Sequence, residues 1–207
     1  MKEKLGYYSE NWKTIPNLIS IIRIVMIPLF AVCFYKGQTI IAVVILALSG
    51  LSDLIDGKIA RKYNQVSNLG KILDPVADKL TVFAIAIMLY LKFSQSENEI
   101  LQTFAWVFLV FVIKDLVMIV FGGLMIAIGL KPCAAEIFGK AATTAFYIVT
   151  VIIMAIGPEV GALRSVFVLP DSIMIILVSI AAIMTLLAFC SYLPDVFRQF
   201  KSLKRKK

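Results

Sequence analysis

The chain contains no histidine, and this absence narrows the chemistry open to it. Histidine is the usual general base near neutral pH and a common zinc ligand. The three cysteines, Cys33, Cys133 and Cys190, are far apart and lack the spacing of a zinc site. Each lies in or beside an apolar run, which predicts a buried position. Any catalytic base must therefore be a carboxylate or a lysine.

Charged residues are also scarce, since they make up 16% of the 207 residues, while 60% are hydrophobic. This composition is too apolar for an ordinary soluble domain and is typical of an integral membrane protein. Six apolar segments are each about long enough to cross a hydrocarbon core of ~30 Å, namely residues 15–35, 39–60, 72–91, 100–130, 137–156 and 172–193. The sequence predicts an all-α polytopic membrane protein with about six transmembrane helices, forming a single domain over residues 1–207.

The N-terminal segment, residues 1–14, combines charge with Tyr7, Tyr8 and Trp12. Tyrosine and tryptophan favour the headgroup level of a bilayer, so this segment predicts a short interfacial helix. The first apolar run is not preceded by a small-residue cleavage site, so we expect a retained anchor rather than a removed signal peptide.

Lysine and arginine concentrate at the N-terminus, in the connections after the second and fourth apolar segments, and in a basic tail at residues 198–207. By the positive-inside rule, both termini and the connection between the second and third segments face the cytosol. The net charge of +8 is interpreted as topology signals and contacts to anionic lipid headgroups. Nucleic acid is not expected as a partner.

Four aspartates stand in or beside the second and third apolar segments: Asp53, Asp56, Asp74 and Asp78. An aspartate at the centre of a membrane helix costs ~2.5–3.5 kcal/mol, so the set requires compensation. In helices, the spacings of three and four residues place each pair on one face. A shared cluster of carboxylate oxygens suits a divalent cation such as Mg²⁺ or Mn²⁺.

Small residues accompany these acids. Gly57 and Ala60 keep their helix face open, so that a flat group such as a nucleobase can approach the backbone. Arg61 offers a planar fork suited to a diphosphate. Two alternatives stay open: single aspartates paired with lysines such as Lys79, and a cation-coupled transporter, whose ion pathway also uses intramembrane acids. Transporter acids are expected near the midplane rather than around one turn.

The acids form part of a longer motif. Asp53-x-x-Asp56-Gly57-x-x-Ala60-Arg61 is followed, after eight residues, by Gly70-x-x-x-Asp74-x-x-x-Asp78. This resembles the signature of the CDP-alcohol phosphotransferase family at every position. The opening Ile15-Pro16-Asn17-Leu18-Ile19-Ser20-x-x-Arg23 and the later Gly139-Lys140-x-x-Thr143 are similar to its phosphatidylglycerophosphate synthase and cardiolipin synthase branch.

The resemblance implies a six-helix enzyme of the bacterial plasma membrane, expected as a homodimer. It would transfer a phosphatidyl group from CDP-diacylglycerol to an alcohol, releasing CMP. By position, the four aspartates would bind two metal ions, and Asp78 would also act as the base. The resemblance further implies that CDP-diacylglycerol binds through Gly57, Ala60, Arg61, Ser67 and Asn17.

The acceptor alcohol stays open. Many phosphatidylglycerophosphate synthases have Arg-Glu in the fourth helix and a second arginine two turns later, which suits glycerol 3-phosphate. Here those positions hold Lys114-Asp115 and Gly122. Lys114-Asp115 is closer to the Arg-Asp of cardiolipin synthases of this fold, whose acceptor is phosphatidylglycerol. Lys114, Lys131 and Lys140 are the candidate acceptor-binding residues, and glycerol 3-phosphate is kept first because that role is the commoner one in the branch.

Overall fold

The computed structural model describes residues 15–62, 70–128 and 137–204. Within those ranges it describes only the backbone of residues 15–16, 53–62, 70–72, 126, 137–138, 195–197, 200 and 202–204. The predicted interfacial helix at residues 1–14 therefore lies outside the described residues.

The described residues form helices and connecting turns, with no strand among them. The helices are α1 (Ile15–Tyr35), α2 (Thr39–Lys62), α3 (Gly70–Phe93), α4 (Glu99–Phe104), α5 (Val107–Ala127), α6 (Ile137–Ile156) and α7 (Asp171–Lys204). Helices α4 and α5 together correspond to the predicted segment 100–130, and each of the other five helices corresponds to one predicted segment. The prediction of an all-α polytopic membrane protein is confirmed.

Four stretches of the described residues are long and apolar enough to span a bilayer: Asn17–Tyr35, Glu99–Met125, Gly139–Ile156 and Asp171–Pro194. Helix α2 has an apolar stretch, Thr39–Ser52, among the residues whose side chains are described. This stretch is shorter than a full span. Helix α3 has the length but carries five charged residues, including Asp74 and Asp78. Its charge sets it apart from the other long helices, because charged side chains oppose transfer into hydrocarbon.

The chain divides into two compact units, the first ending at Met88 and the second beginning at Leu89. In the first unit, α1 packs along α2. The turn between them uses Gly37, whose φ of +75° is a conformation that glycine adopts without steric cost. The amide of Gly37 donates to the carbonyl oxygen of Phe34 at 3.0 Å, which closes the end of α1.

In the second unit, α7 packs against α6 and α5. Aromatic side chains fill part of its core, because they bury a large apolar area each. The rings of Phe93 and Phe108 stack with centroids 5.8 Å apart. Those of Phe111 and Phe146, from α5 and α6, lie 4.6 Å apart.

The outward surfaces of the long helices are apolar, as expected for a protein that contacts lipid. On α1, Leu18, Val25 and Leu29 are each more than half exposed.

Cys190 is also exposed, in the apolar part of α7, so the prediction of a buried position was wrong for this residue. A thiol behaves as a small apolar group, and a lipid-facing site is no less favourable to it than a protein core.

Polar contacts join two connections of the second unit. The hydroxyl of Ser96 donates a hydrogen bond to Glu159 Oε1, and the side-chain Nδ2 of Asn98 donates to Asp171 Oδ2 at 2.7 Å. Glu159 has a φ of +61°, which is unusual for a residue with a side chain, and its carbonyl accepts from Arg164 at 3.0 Å. These contacts hold the loop before α7 to the loop after α3.

Helices α6 and α7 are in close contact at Gly139, in the first turn of α6. A Cβ atom added to Gly139 would overlap the hydroxyl oxygen of Tyr192, a buried residue of α7. The next atom of that ring, Cζ, would be 3.5 Å away, which is an ordinary contact. The hydroxyl oxygen of Tyr192 therefore leaves no room for a side chain at position 139.

We expect Gly139→Ala to lower the free energy of unfolding by about 1–3 kcal/mol, because it forces a methyl group against a rigid phenol. Adding Tyr192→Phe should recover most of that loss by removing the overlapping oxygen. The measurement is thermal unfolding of the purified protein in detergent.

The matched control is Gly123→Ala in α5, where an added Cβ meets nothing within 4 Å. It should change stability by no more than about 1 kcal/mol, the size of the helix-propensity difference. Equal losses for Gly139→Ala with and without Tyr192→Phe would contradict this account of the crossing.

Candidate active site

One face of α1 is polar and turned into the first unit. Asn17 is 1% exposed, Ser20 is 0% exposed and Arg23 is 4% exposed. These residues recur every three positions, so they form a stripe along one side of the helix. The other side of α1 is the lipid-facing apolar surface described above. The first half of α1 is thus polar inside and apolar outside, the reverse of a helix in a soluble protein, whereas its second half buries Phe30 and Phe34.

This polar face meets the first acid of α3. Ser20 Oγ donates a hydrogen bond to Asp74 Oδ1 at 2.5 Å, across a sequence separation of 54 residues. Asp74 and Asp78 are one helical turn apart and both are half-buried. The structure therefore places Asp74 in contact with the polar face of α1, and Asp78 one turn further along α3.

The other pair of acids lies on α2, which continues as a helix to Lys62 through the positions of Asp53 and Asp56. The structure describes only the backbone of residues 53–62, so the side chains of Asp53 and Asp56 lie outside the described ones. The same holds for the side chains of Ala60 and Arg61 and for the predicted contact of Gly57. Ser67 lies outside the described residues. Among the side chains that are described, no group of three or more metal-ligating residues occurs. The four-carboxylate site stays a prediction.

The surroundings of Asp74 fit a cation ligand. Its described partner is the neutral hydroxyl of Ser20, which donates a hydrogen bond but does not neutralise the carboxylate. Its other oxygen lone pairs can still be offered to a cation, and carboxylate oxygens are the donors that Mg²⁺ and Mn²⁺ prefer. The donor chemistry of Asp74 is thus consistent with a divalent metal.

A different arrangement surrounds the acid of α5. Lys114 Nζ lies 2.6 Å from Asp115 Oδ1, with 17% and 3% of the two side chains exposed. This ion pair balances both charges within one helix, as expected of buried charges in a membrane. Of the other lysines predicted to bind the acceptor, Lys140 is exposed and Lys131 lies outside the described residues. The acceptor role of all three stays a prediction.

Ser20 and Arg23 were quoted in the sequence only as part of a motif, and not as site residues. The signal that identifies them is the spacing of polar residues in an otherwise apolar span. Polar side chains that recur every three positions define a helix face, and in a membrane that face turns toward protein. Asn17, which the sequence did identify, is the first residue of the same stripe.

The ion pair of α5 generates a stability prediction. We expect Lys114→Met to lower the free energy of unfolding by about 3–5 kcal/mol, because it removes the cation that lies 2.6 Å from the buried carboxylate of Asp115. The double variant Lys114→Met with Asp115→Asn should be more stable than Lys114→Met alone. Thermal unfolding in detergent measures both.

Lys140→Met is the control, since Lys140 is exposed and its replacement should change stability by within about 0.5 kcal/mol. The ion pair is not structurally important if Lys114→Met unfolds at the same temperature as the unmodified chain.

Comparison with known proteins gives a consistent assignment. The family model of the CDP-alcohol phosphatidyltransferases matches residues 13–189. The chain is 36% identical to the cardiolipin synthase (CMP-forming) of Streptomyces coelicolor over 136 residues, which are 63% of this chain and 60% of that protein. It is 37% identical to the CDP-diacylglycerol-glycerol-3-phosphate 3-phosphatidyltransferase of Rickettsia typhi over 111 residues, 52% of this chain and 62% of that protein.

The matched parts therefore span 60% and 62% of the length of these two relatives. The family model covers far more than half of the present chain, and it includes the whole acidic motif. Members of the family are generally metal-dependent, which agrees with the donor chemistry found at Asp74. The chain belongs to the CDP-alcohol phosphatidyltransferase family.

Proposed function

We propose that this chain is a membrane enzyme of phospholipid synthesis that transfers a phosphatidyl group from CDP-diacylglycerol to glycerol 3-phosphate, releasing CMP. Such an enzyme is a phosphatidylglycerophosphate synthase. The observation that carries the proposal is the complete acidic motif, which lies inside the segment matched by the family model, with Asp74 on the interior side of α3. The name of the Rickettsia relative supports the choice of acceptor.

The metal is proposed to be Mg²⁺ or Mn²⁺, bound as a pair of ions. Asp53, Asp56, Asp74 and Asp78 would hold it, since hard cations prefer oxygen ligands and four clustered carboxylates require neutralisation. When bound, such ions supply Lewis-acid stabilisation of the negative charge that develops on phosphoryl oxygens.

Asp78 is proposed as the general base. The acceptor hydroxyl loses its proton to the carboxylate while its oxygen forms a bond to the phosphorus that carries diacylglycerol. The bond between that phosphorus and the oxygen of CMP breaks, and CMP leaves with the electron pair. Proton transfer to a positioned carboxylate contributes about 10²–10⁴-fold to a rate.

The nucleotide is proposed to bind beside the acids. Gly57 and Ala60 leave space for the cytidine, because neither has a bulky side chain. Arg61 and Ser67 would contact the diphosphate, the arginine through a bidentate fork. Asn17, buried on the inward face of α1, would contribute a further hydrogen bond to CDP-diacylglycerol.

A second acceptor is favoured by one observation. Lys114 is followed by Asp115, which resembles the Arg-Asp of cardiolipin synthases, and the two side chains form an ion pair at 2.6 Å. A lysine whose charge is already balanced attracts a dianionic phosphate less strongly than an unpaired one would. The Streptomyces relative is named as a cardiolipin synthase. Phosphatidylglycerol is therefore the alternative acceptor.

The membrane arrangement is also part of the proposal. We place the acidic motif and both termini on the cytosolic side of a bacterial plasma membrane, from the distribution of lysine and arginine. CDP-diacylglycerol would then be drawn from the bilayer that surrounds the apolar helices. The homodimer implied by the family resemblance stays a prediction.

The reaction is tested by release of CMP from CDP-diacylglycerol. Purified protein with Mn²⁺ or Mg²⁺ and an alcohol should release CMP, and Asp78→Asn should lower the rate at least ~10²-fold because it removes the proton acceptor. Circular dichroism and size-exclusion chromatography would establish that the variant is folded.

Ser94→Ala is the control for that substitution, because the hydroxyl of Ser94 is exposed and bonds only the carbonyl of Leu91 among the partners described. Its rate should equal that of the unmodified chain. A cation-coupled transporter would replace the enzyme proposal if CMP never appears with any acceptor while ion flux into vesicles depends on Asp53.

The acceptor is tested by offering glycerol 3-phosphate, phosphatidylglycerol and inositol phosphate separately, at equal concentration. We expect the fastest release of CMP with glycerol 3-phosphate, with phosphatidylglycerophosphate as the lipid product identified by mass spectrometry. Faster release with phosphatidylglycerol, and cardiolipin as the product, would assign the alternative acceptor.

A further inference from the structure

We propose that Ser20 is a positioning residue that orients Asp74 for metal binding. The inference deepens the proposed function, and it rests on the metal site proposed there. Ser20 is fully buried in α1 and its hydroxyl donates to Asp74 Oδ1 of α3 at 2.5 Å. Asp74 is thereby held by a donor from another helix.

The chemistry of the donor is the first argument. A lysine or arginine at this position would neutralise the carboxylate, as Lys114 does for Asp115. A hydroxyl satisfies part of the hydrogen-bonding capacity of the carboxylate and leaves its charge in place. An acid held in this way keeps its attraction for a cation, whereas an acid in an ion pair does not.

Geometry is the second argument. A carboxylate has about four lone-pair sites, and the hydrogen bond from Ser20 uses one of them on Oδ1. It thereby restricts rotation of the carboxylate and leaves Oδ2 for a ligand. Carboxylates that bind metals are commonly hydrogen-bonded in this manner, and loss of the outer partner typically lowers metal affinity about 10–100-fold.

The position of α1 is the third argument. Helix α1 packs along α2, which carries Asp53 and Asp56, and it contacts α3 through Ser20. It is therefore a common neighbour of both helices that carry the motif. A donor on α1 can hold an α3 acid in a constant position relative to the α2 helix.

The experiment measures binding of Mn²⁺ to purified full-length protein in detergent, without lipid substrate, by titration with electron paramagnetic resonance. We expect Ser20→Ala to raise the dissociation constant for Mn²⁺ about 10–100-fold. Ser20→Thr, which keeps the hydroxyl, should restore much of the affinity. Enzyme activity should show the same order at limiting Mn²⁺ and a smaller difference at saturating Mn²⁺.

Ser191→Ala is the matched control. It removes the same atom from another helical serine, whose hydroxyl donates to the carbonyl of Ala188 in its own helix at 2.7 Å. Its affinity for Mn²⁺ should equal that of the unmodified chain. Circular dichroism and thermal unfolding of each variant identify any general loss of fold.

A second measurement separates positioning from a purely structural role. If Ser20 acts through Asp74, then Ser20→Ala should cause no further loss of Mn²⁺ affinity in a chain that already carries Asp74→Asn. A structural role would lower stability and affinity in both backgrounds alike.

The outcomes distinguish this inference from the proposed function. If the unmodified chain binds Mn²⁺ and Ser20→Ala binds it equally well, the positioning role is wrong and the metal site stands. Equal losses in the two Asp74 backgrounds would also overturn the positioning role. If the unmodified chain binds neither Mn²⁺ nor Mg²⁺, the metal proposal and the positioning role both fail.

Discussion

Hydrocarbon offers no hydrogen bonds to a polar side chain, and this constraint explains the arrangement of the polar groups of this protein. Each buried polar group must find its partner within the chain or bind a ligand. In the first half of α1 the buried residues form one polar stripe, and the exposed residues are apolar. The same requirement joins Ser20 to Asp74 and Lys114 to Asp115.

The two described contacts to intramembrane acids serve different ends. The pair in α5 removes charge, so it allows an acid to be buried without further function. The contact between α1 and α3 leaves the charge of the Asp74 carboxylate in place, as the proposed metal site requires. The contrast between a cationic and a hydroxyl partner therefore underlies the proposal that Asp74, unlike Asp115, binds a metal ion, although both stand in long helices of the same chain.

Much of the helical architecture could be predicted, because membrane helices are read from the length of apolar runs. The bounds of α1 and α6 agree with the predicted segments. The run at residues 100–130 was predicted as one helix and instead divides into α4 and α5 at residues 105–106. Hydropathy does not reveal such a break, since both sides of it are apolar.

Two other features could not be predicted from the sequence, namely the residue at which α7 ends and the partner of Ser20. The apolar run ends near Leu193, yet the helix continues to Lys204, because helix formation depends on backbone hydrogen bonds and not on hydropathy. Ser20 is a small polar residue among many, and its partner lies 54 residues away. The spacing of residues indicates which helix face is polar, but not which neighbouring side chain that face meets.

The position of each partner along the chain has a consequence for biogenesis. Lys114 and Asp115 are consecutive residues, so the cation beside this acid is made together with it and enters the translocon in the same helix. Asp74 depends on a residue made earlier, and α1 already resides in the bilayer when α3 emerges from the ribosome. The first unit can thus assemble in the order of its synthesis, with α1 as the surface that receives the more polar helix.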